Sequence, residues 1–157
     1  MLFLAPLMRI VLQKVSQASV EVDGKPVAQI GPGYVLLIGI LKGDTQEYGA
    51  WLAKKIASLR LFPREDGKIN DRNILEAEGS VLSISQFTLA GEVSKGNRPD
   101  YTTAEEPGKA RALYESFCQE LRSAGIKNVA TGIFGATMRV NLLNDGPVTL
   151  VLDRASQ

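Results

Sequence analysis

The stretch from Arg9 to Ile40 constrains the fold more than any other, because it has the pattern of consecutive β-strands. Ile10 to Val15 and Ala18 to Val22 are rich in β-branched residues, and Asp23-Gly24 after them is a strong hairpin signal. The residues that follow this turn are therefore predicted to return as an antiparallel strand. Tyr34 to Ile40 is a continuous apolar run, which suits a strand that is buried on both faces.

Two amphipathic helices are predicted after these strands. Asp44 or Thr45 can cap the first helix, Pro107 lies near the first position of the second, and Gly125 is the predicted C-terminal stop of the second. The first helix should lay one face on the sheet. Its apolar residues recur at helical spacing, at Tyr48, Trp51, Leu52, Ile56 and Leu59.

Three further strands are predicted, at Ser80 to Ser85, near Thr137 to Leu143 and at Val148 to Asp153. Strand-rich halves that carry two helices indicate an α/β or α+β domain. A chain of 157 residues without an internal repeat or a dividing linker is expected to form one domain with a sizeable core.

The chain contains no histidine and only one cysteine, Cys118. Without histidine it lacks the usual general base and the commonest metal ligand, so Ser-His-Asp and Cys-His catalysis are excluded. Nucleotide-binding glycine motifs are also absent, and neither a metal nor a cofactor is predicted. With 18 Lys and Arg residues against 17 Asp and Glu, the net charge of +1 means that any polyanion site must be a local patch.

Residues 1 to 7 form an apolar run that is interrupted at Pro6. We expect a leader outside the domain, either disordered or a start-site extension before Met8, because a signal peptide would need a basic region before the run. The domain is expected to span residues 8 to 157. No later stretch approaches the roughly 20 apolar residues of a membrane span, and a lone cysteine is typical of a reducing compartment. The expected location is the cytoplasm, with no membrane partner.

A strand end with polar side chains is the first candidate site. Ser85-Gln86-Phe87-Thr88-Leu89 places two hydroxyls and an amide side by side where a strand enters the long loop from Gly91 to Glu106. Rigid scaffolds commonly present reactive groups and backbone N–H groups at such a point. By spacing alone, the same residues also fit an ordinary strand end in which Ser and Thr satisfy the turn.

The second candidate is the turn Asn144-Asp145-Gly146-Pro147. Proline after glycine cannot donate to a strand ladder, and a cis bond between Gly146 and Pro147 would present main-chain carbonyls rigidly. The base rate of ~5 to 6% for cis X-Pro bonds favours a trans turn on physical grounds alone. A weaker feature is the pair Lys95 and Arg98 in the long loop, which fits either contacts with phosphates or a solvated surface.

Together, the segment from Ser85 to Leu89 and the later Asn144-Asp145-Gly146-Pro147-Val148-Thr149 resemble the paired signature of the D-aminoacyl-tRNA deacylases, which include the D-tyrosyl-tRNA(Tyr) deacylases. The resemblance covers nearly the whole chain, from Met8 to Asp153. It also includes Gln29-Ile30-Gly31, Asp66-Gly67-Lys68, Arg98-Pro99, Thr131-Gly132, Phe134-Gly135-Ala136 and Met138.

The resemblance implies a mixed α/β fold, in which one domain combines an antiparallel-rich, barrel-like sheet with two main amphipathic helices. It implies an editing hydrolase for translation quality control, which cleaves the ester of D-aminoacyl-tRNA and of glycyl-tRNA(Ala). Members of the family are homodimers with the active site at the subunit interface. No cofactor is implied.

The resemblance also assigns roles to residues. Ser85, Gln86, Phe87 and Thr88 are the expected catalytic residues of one subunit, and a cis Gly146-Pro147 turn would reach in from the other. Carbonyls of that turn would leave no room for the side chain of an L-amino acid. Lys14 stands where the family usually has an arginine that helps to fix the turn, and a lysine lacks the planar fork of arginine.

An aminoacyl ester is already activated, so its hydrolysis needs water, an oxyanion donor and an orienting site rather than a strong base. We expect backbone N–H groups near Phe87 and Thr88 to stabilise the oxyanion, and a ribose hydroxyl of the terminal adenosine to assist the water. Thr88 would position the ester or the water, and the alternative is that Thr88 acts as a nucleophile, for which the chain offers no activating base. Two other functions are open at this point: an RNA-binding module without catalysis, and a metabolic hydrolase of small esters.

Overall fold

The structure is a computed structural model that describes residues 8–153. The predicted leader, residues 1–7, lies outside the described residues, as do residues 154–157. Within residues 8–153 no helix is long and apolar enough to cross a membrane. The elements follow in the order β1 (Arg9–Val22), β2 (Lys25–Ile30), β3 (Gly33–Gly39), α1 (Gln46–Ser58), β4 (Arg60–Phe62), β5 (Arg72–Asn73), β6 (Ser80–Ser85), α2 (Pro107–Ser123), β7 (Val129–Thr131) and β8 (Arg139–Asp153).

Strand β1 is the centre of the sheet. The two predicted strands of this region form one continuous strand, which pairs antiparallel with β8 along one edge and with β3 and then β2 along the other. The predicted turn after β1 is confirmed: Asp23 and Gly24 have φ angles of 53° and 75°, and tight hairpins require such positive angles.

The sheet is mixed and curled. Strand β6 pairs parallel with β3, and β7 pairs parallel with β6, so the path runs β2-β1-β3-β6-β7. Strand β2, at one end of this path, contacts both β6 and β7 at the other. The prediction of a single mixed α/β domain with a barrel-like sheet and two helices is therefore confirmed.

Each face of the curled sheet has its own core. The inner cluster is built from side chains such as Val15, Val20 and Leu82, and the larger outer cluster lies between the sheet and the two helices. Strand β1 contributes Ile10 and Leu12 to the outer cluster but Val15 and Val20 to the inner one. Its register is irregular around Val15, and this irregularity switches the buried face of the strand.

The apolar stripe of α1 was predicted only in part. Leu52 and Ile56 are buried as expected, but Trp51 is 41% exposed, and the Nζ of Lys55 lies 5.4 Å from its ring centroid. Small side chains complete the buried face, among them Ala53. They let α1 lie close to α2, so helix packing favoured them over the large ring at position 51.

The two candidate caps of α1 have different roles. Thr45 is the cap, and its Oγ1 accepts the N–H of Tyr48 at 3.4 Å. Asp44 is buried and accepts backbone N–H groups from Leu41, at 2.7 Å, and from Met8. Burial raises the pKa of Asp44 to about 6, because desolvation outweighs these two hydrogen bonds.

The last two predicted strands form one strand, β8, and this corrects the expectation of two separate strands. Both halves of β8 pair with β1, and the Asn144-to-Pro147 turn protrudes from its middle instead of reversing the chain. The side-chain amide of Asn144 donates to the carbonyl oxygens of Lys14, at 2.9 Å, and Val148, at 3.2 Å. These bonds replace ladder contacts that the turn interrupts.

We predict that replacing Gly33 with alanine destabilises the fold by about 3 kcal/mol, the upper end of typical overpacking costs. A Cβ at Gly33 would lie 1.7 Å from the carbonyl oxygen of Ser80, so β3 and β6 would have to separate. The free energy of unfolding in urea measures the effect. Gly31→Ala is the control, because a Cβ there meets nothing within 4 Å. Equal stability of the two variants would contradict the prediction.

Candidate active site

A cavity of about 610 Å³ opens where β6 ends. Its walls come from the end of β6 and the turn after it, from the start of α2, and from the loop that connects β7 to β8. The lining includes Ser85, Gln86, Phe87, Thr88, Glu105, Pro107, Phe134, Ala136 and Met138. The four expected catalytic residues, Ser85 to Thr88, therefore line one cavity, whereas Leu89 of the same motif does not.

The chain turns sharply after β6. The N–H of Gln86 still bonds to the carbonyl oxygen of Ile38, at 2.8 Å, and a 3₁₀ turn follows over Phe87–Ala90. The first hydrogen bond inside this turn is donated by Leu89 to Gln86, at 3.2 Å, and no side chain caps the turn. The N–H groups of Phe87 and Thr88 precede that bond, as the first donors of any helix do.

The side chains of Gln86 and Thr88 bond to each other. The Nε2 of Gln86 donates to the Oγ1 of Thr88 at 2.5 Å. Because the hydroxyl accepts this bond, its own proton remains for another partner. Thr88, which lines the cavity, can therefore still donate a hydrogen bond.

Contacts from other elements hold the 3₁₀ turn in place. The Nη1 of Arg9 donates to the carbonyl oxygen of Leu89 at 2.9 Å, and the Oγ1 of Thr103 donates to that of Ala90 at 3.2 Å. At Gly39 an added Cβ would lie 2.8 Å from the Cβ of Leu89 and 3.2 Å from the carbonyl oxygen of Gln86. The turn therefore rests directly on the β3 backbone.

Sequence reasoning missed these supports. Gly39 carried a readable signal, since glycine inside a buried apolar strand often marks a close backbone approach. Arg9 carried none, because its partner Leu89 is distant in sequence. The cavity walls at Phe134, Ala136 and Met138 were noticed only as parts of the family resemblance.

The long loop after the 3₁₀ turn is tied to the domain. Glu92 and Asp100 exchange two backbone hydrogen bonds, at 2.8 and 2.9 Å, and the N–H of Lys42 bonds to Thr103 at 2.9 Å. Lys95 and Arg98 are exposed in the segment that the Glu92 and Asp100 pair closes. Neither cation lines the cavity, so the structure does not bring them into contact with the first motif.

The Gly146-Pro147 peptide bond is cis, which the base rate alone did not favour. The turn does not line the cavity of its own chain. Ser85 lies opposite Ile38 on β3, whereas Lys14, next to the turn, lies opposite Tyr34. This offset of about 13 Å along the strands, with three strand spacings of roughly 14 Å in total, separates the two motifs within one chain.

Lys14 contacts the turn at two points. Its backbone oxygen accepts the amide of Asn144, and its Nζ lies 3.3 Å from the carboxylate of Asp145. The side chain is almost buried, and the Nζ lies 5.2 Å from the ring centroid of Phe62. Both residues before Gly146 are thus held by one residue of β1.

The strand that carries the first motif is braced by a buried tyrosine. The hydroxyl of Tyr114 on α2 donates to the carbonyl oxygen of Ser83 at 2.7 Å, and its ring lies 6.1 Å from that of Phe134. Burial raises the pKa of the Tyr114 hydroxyl, so it stays protonated as a donor. Helix α2, β6 and the loop before β8 therefore form one rigid frame around the cavity.

Comparison with known proteins decides the class of protein. A sequence model of the D-Tyr-tRNA(Tyr) deacylase family matches residues 11–153. The chain belongs to this family. D-aminoacyl-tRNA deacylases of Nitratiruptor sp. and Geobacter sulfurreducens are similar to it, with 54% identity over 142 residues and 51% over 150 residues. These alignments cover 90% and 96% of this chain, and 95% and 97% of the two relatives.

A solved structure named c-Myc DNA Unwinding Element Binding Protein is also similar to the deacylase chain. Its TM-score is 0.88 at 38% identity, and the match covers 94% of this chain and 99% of that chain. Family membership makes the chain a hydrolase that acts on D-aminoacyl-tRNA. The family and the enzyme class that the two sequence motifs predicted are both confirmed.

We predict that Gly39→Ala lowers kcat/KM of the deacylase for D-aminoacyl-tRNA by about 10- to 100-fold, since small displacements of reacting groups cost this much. The added Cβ would push Leu89 and Gln86, and with them the 3₁₀ turn, away from β3. Gly49→Ala is the control, because a Cβ there lies 3.6 Å from the nearest atom, which is ordinary contact. The prediction fails if both variants deacylate at the rate of the unchanged protein.

Proposed function

We propose that this cavity is where the ester of D-aminoacyl-tRNA is cleaved, with Ser85, Gln86, Phe87 and Thr88 as its catalytic residues. The observation that carries the proposal is the 3₁₀ turn at the cavity wall. Its first two N–H groups, from Phe87 and Thr88, come before any internal hydrogen bond. Two adjacent main-chain donors at a cavity wall suit the oxyanion that forms when water attacks an ester carbonyl.

The reaction then proceeds without a protein base. Water adds to the ester carbonyl, the bond to the ribose oxygen breaks, and that oxygen receives a proton. Glu105 is the titratable side chain in the cavity lining, and its pKa is lowered because the N–H of Glu106 donates to it. A carboxylate with a lowered pKa is a weak base, so the neighbouring ribose hydroxyl assists the water, and Thr88 orients the ester.

The Gly146-Pro147 turn of a second subunit distinguishes D-aminoacyl from L-aminoacyl esters in this proposal. Within its own chain the turn is distant from the cavity, so only a partner can bring it there. Strand β8 supports a homodimer, since among residues 8–153 it pairs with β1 alone, and it exposes Leu143 and Val151, at 56% and 62%. A long unpaired edge with exposed apolar residues favours association with another chain.

Lys14 is the supporting residue of this turn. Its contacts with Asn144 and Asp145 fix the residues that lead into Gly146. The ammonium group makes a single ion pair at the position where an arginine would offer a planar fork. The buried stem of Lys14 beside Phe62 compensates by restricting the side chain.

Rejection by a clash with the L side chain has a consequence for substrate range. Glycine has no side chain to clash, so the site would also accept glycyl-tRNA(Ala). Lys95 and Arg98 would contact phosphates of the tRNA outside the cavity. The site of action would be the cytoplasm, where aminoacyl-tRNA is available.

Binding of nucleic acid independently of the aminoacyl ester is the second candidate function. It is favoured by the printed name of the solved structure at 38% identity, which describes a DNA-binding protein. This function predicts binding that does not depend on the aminoacyl group, and it tolerates changes at Gly146 and Pro147.

Deacylation of matched D- and L-tyrosyl-tRNA by the purified protein tests the proposal. We expect rapid release of D-tyrosine, release of glycine from glycyl-tRNA(Ala), and no measurable release of L-tyrosine. Single-turnover rates are the measurement. Equal rates for the two enantiomers would refute chiral editing, and binding of tRNA without any release would favour the second candidate.

Mixed dimers test the shared site. Thr88→Pro removes one oxyanion donor and the hydroxyl that orients the ester, at a position where the first turn of a helix tolerates proline, and we expect it to lower kcat by about 100-fold or more. Pro147→Ala keeps the cavity intact, and we expect it to hydrolyse L-tyrosyl-tRNA as well as the D-ester.

An excess of Thr88→Pro chains added to Pro147→Ala chains should suppress L-ester hydrolysis and leave D-ester hydrolysis in place. Each functional cavity then receives an intact turn from its partner. Continued L-ester hydrolysis in the mixture, with dimer exchange verified by labelled subunits, would mean that the turn acts within its own chain. A monomer in sedimentation analysis would rule out the shared site altogether.

A further inference from the structure

Two aromatic rings lie exposed at the edge of the cavity. Phe87 lines the cavity but is 59% exposed, and Tyr101, which lies outside the lining, is 38% exposed. Their ring centroids are 5.3 Å apart, with an interplanar angle of 71°, so the rings meet edge to face. This arrangement is favourable for aromatic pairs, and it leaves ring surface facing outward.

The position of Tyr101 is built into the backbone. A Cβ at Gly91 would lie 3.0 Å from the Cε1 of Tyr101 and 2.9 Å from the carbonyl oxygen of Thr88, so a glycine lets the ring approach the 3₁₀ turn. The two backbone bonds between Glu92 and Asp100 end one residue before Tyr101. The ring is therefore held against Phe87 from both sides of the loop.

Cations accompany the aromatic pair. The segment closed by Glu92 and Asp100 carries Lys95 and Arg98, both exposed. Proteins that bind single-stranded nucleic acid commonly combine exposed aromatic rings, on which the bases stack, with nearby cations, which neutralise the phosphates. An apolar protein partner would leave these charges without a role.

We propose that Phe87 and Tyr101 form a base-stacking platform for the nucleotide that precedes the terminal adenosine of the tRNA. The inference rests on the proposed function, because the ester at the 3₁₀ turn places the terminal adenosine in the cavity. The strand leaves the cavity past Phe87, so the preceding base meets the platform. Tyr101 is the residue of the pair that tests the platform alone, because in this proposal it contacts neither the ester nor the oxyanion donors, whereas Phe87 supplies one of those donors.

The first test compares Tyr101→Leu with Tyr101→Phe, which keeps the ring. Stacking of one base changes affinity by about tenfold, so Tyr101→Leu should raise KM for D-tyrosyl-tRNA about tenfold at nearly constant kcat. Tyr101→Phe should retain the KM of the unchanged protein. The KM for D-tyrosyl-adenosine, which lacks the preceding nucleotide, should rise much less.

Three results would overturn the platform. The KM of Tyr101→Leu for D-tyrosyl-tRNA could equal that of the unchanged protein. Alternatively, Tyr101→Leu could raise KM by the same factor for D-tyrosyl-tRNA and for D-tyrosyl-adenosine, which would mean that the ring supports the reacting site. Finally, dissociation of the Tyr101→Leu dimer in sedimentation analysis would mean that a second subunit, and not RNA, covers the rings.

Binding of uncharged tRNA separates this inference from the proposed function. The unchanged protein should bind tRNA that lacks only its terminal adenosine more tightly than tRNA that lacks its last two nucleotides, and Tyr101→Leu should lose most of that difference. If this holds while no ester is cleaved, the platform stands and the catalytic proposal falls. If the unchanged protein cleaves D-tyrosyl-tRNA but Tyr101→Leu keeps the full difference in tRNA affinity, the platform is refuted and the catalytic proposal stands.

Discussion

The pairing of β1 with three other strands is the constraint on which the rest of the structure depends. Around Val15 the register of β1 shifts, and its buried side chains change from the outer cluster to the inner one. The buried side chains of β8 change clusters opposite the same part of β1: Val148 packs on the outer cluster and Val140 on the inner one. The Gly146-Pro147 turn protrudes where both strands make this change.

The same sheet separates the two motifs and makes each of them rigid. The first motif rests on the end of β3 through Gly39, while Arg9 at the start of β1 holds Leu89. The second motif is held by Lys14 on β1. The proposed mechanism depends on such main-chain positioning, because it uses fixed backbone N–H groups as donors instead of a titrating side chain.

Local signals explain which predictions succeeded. The Asp23-Gly24 hairpin and the start of α2 at Pro107 follow from residues close in sequence, and both are as predicted. The exposure of Trp51 and the continuity of β8 were not foreseen, because they depend on helix packing and on pairing with β1 across more than 100 residues. Periodicity reports how apolar a face is, but not what packs against it.

By itself the sequence determined the Asp23-Gly24 hairpin, the two helices, the exclusion of histidine-based catalysis, and the two motifs that mark the family. Only the tertiary structure decided that Ser85 to Thr88 line one cavity, and that Gly146-Pro147 lies several strands away from it. Tertiary contacts also make Gly39 and Arg9 supports of the 3₁₀ turn, and they place the ring of Tyr101 against that of Phe87. Such contacts join residues that are distant along the chain, so no local pattern encodes them.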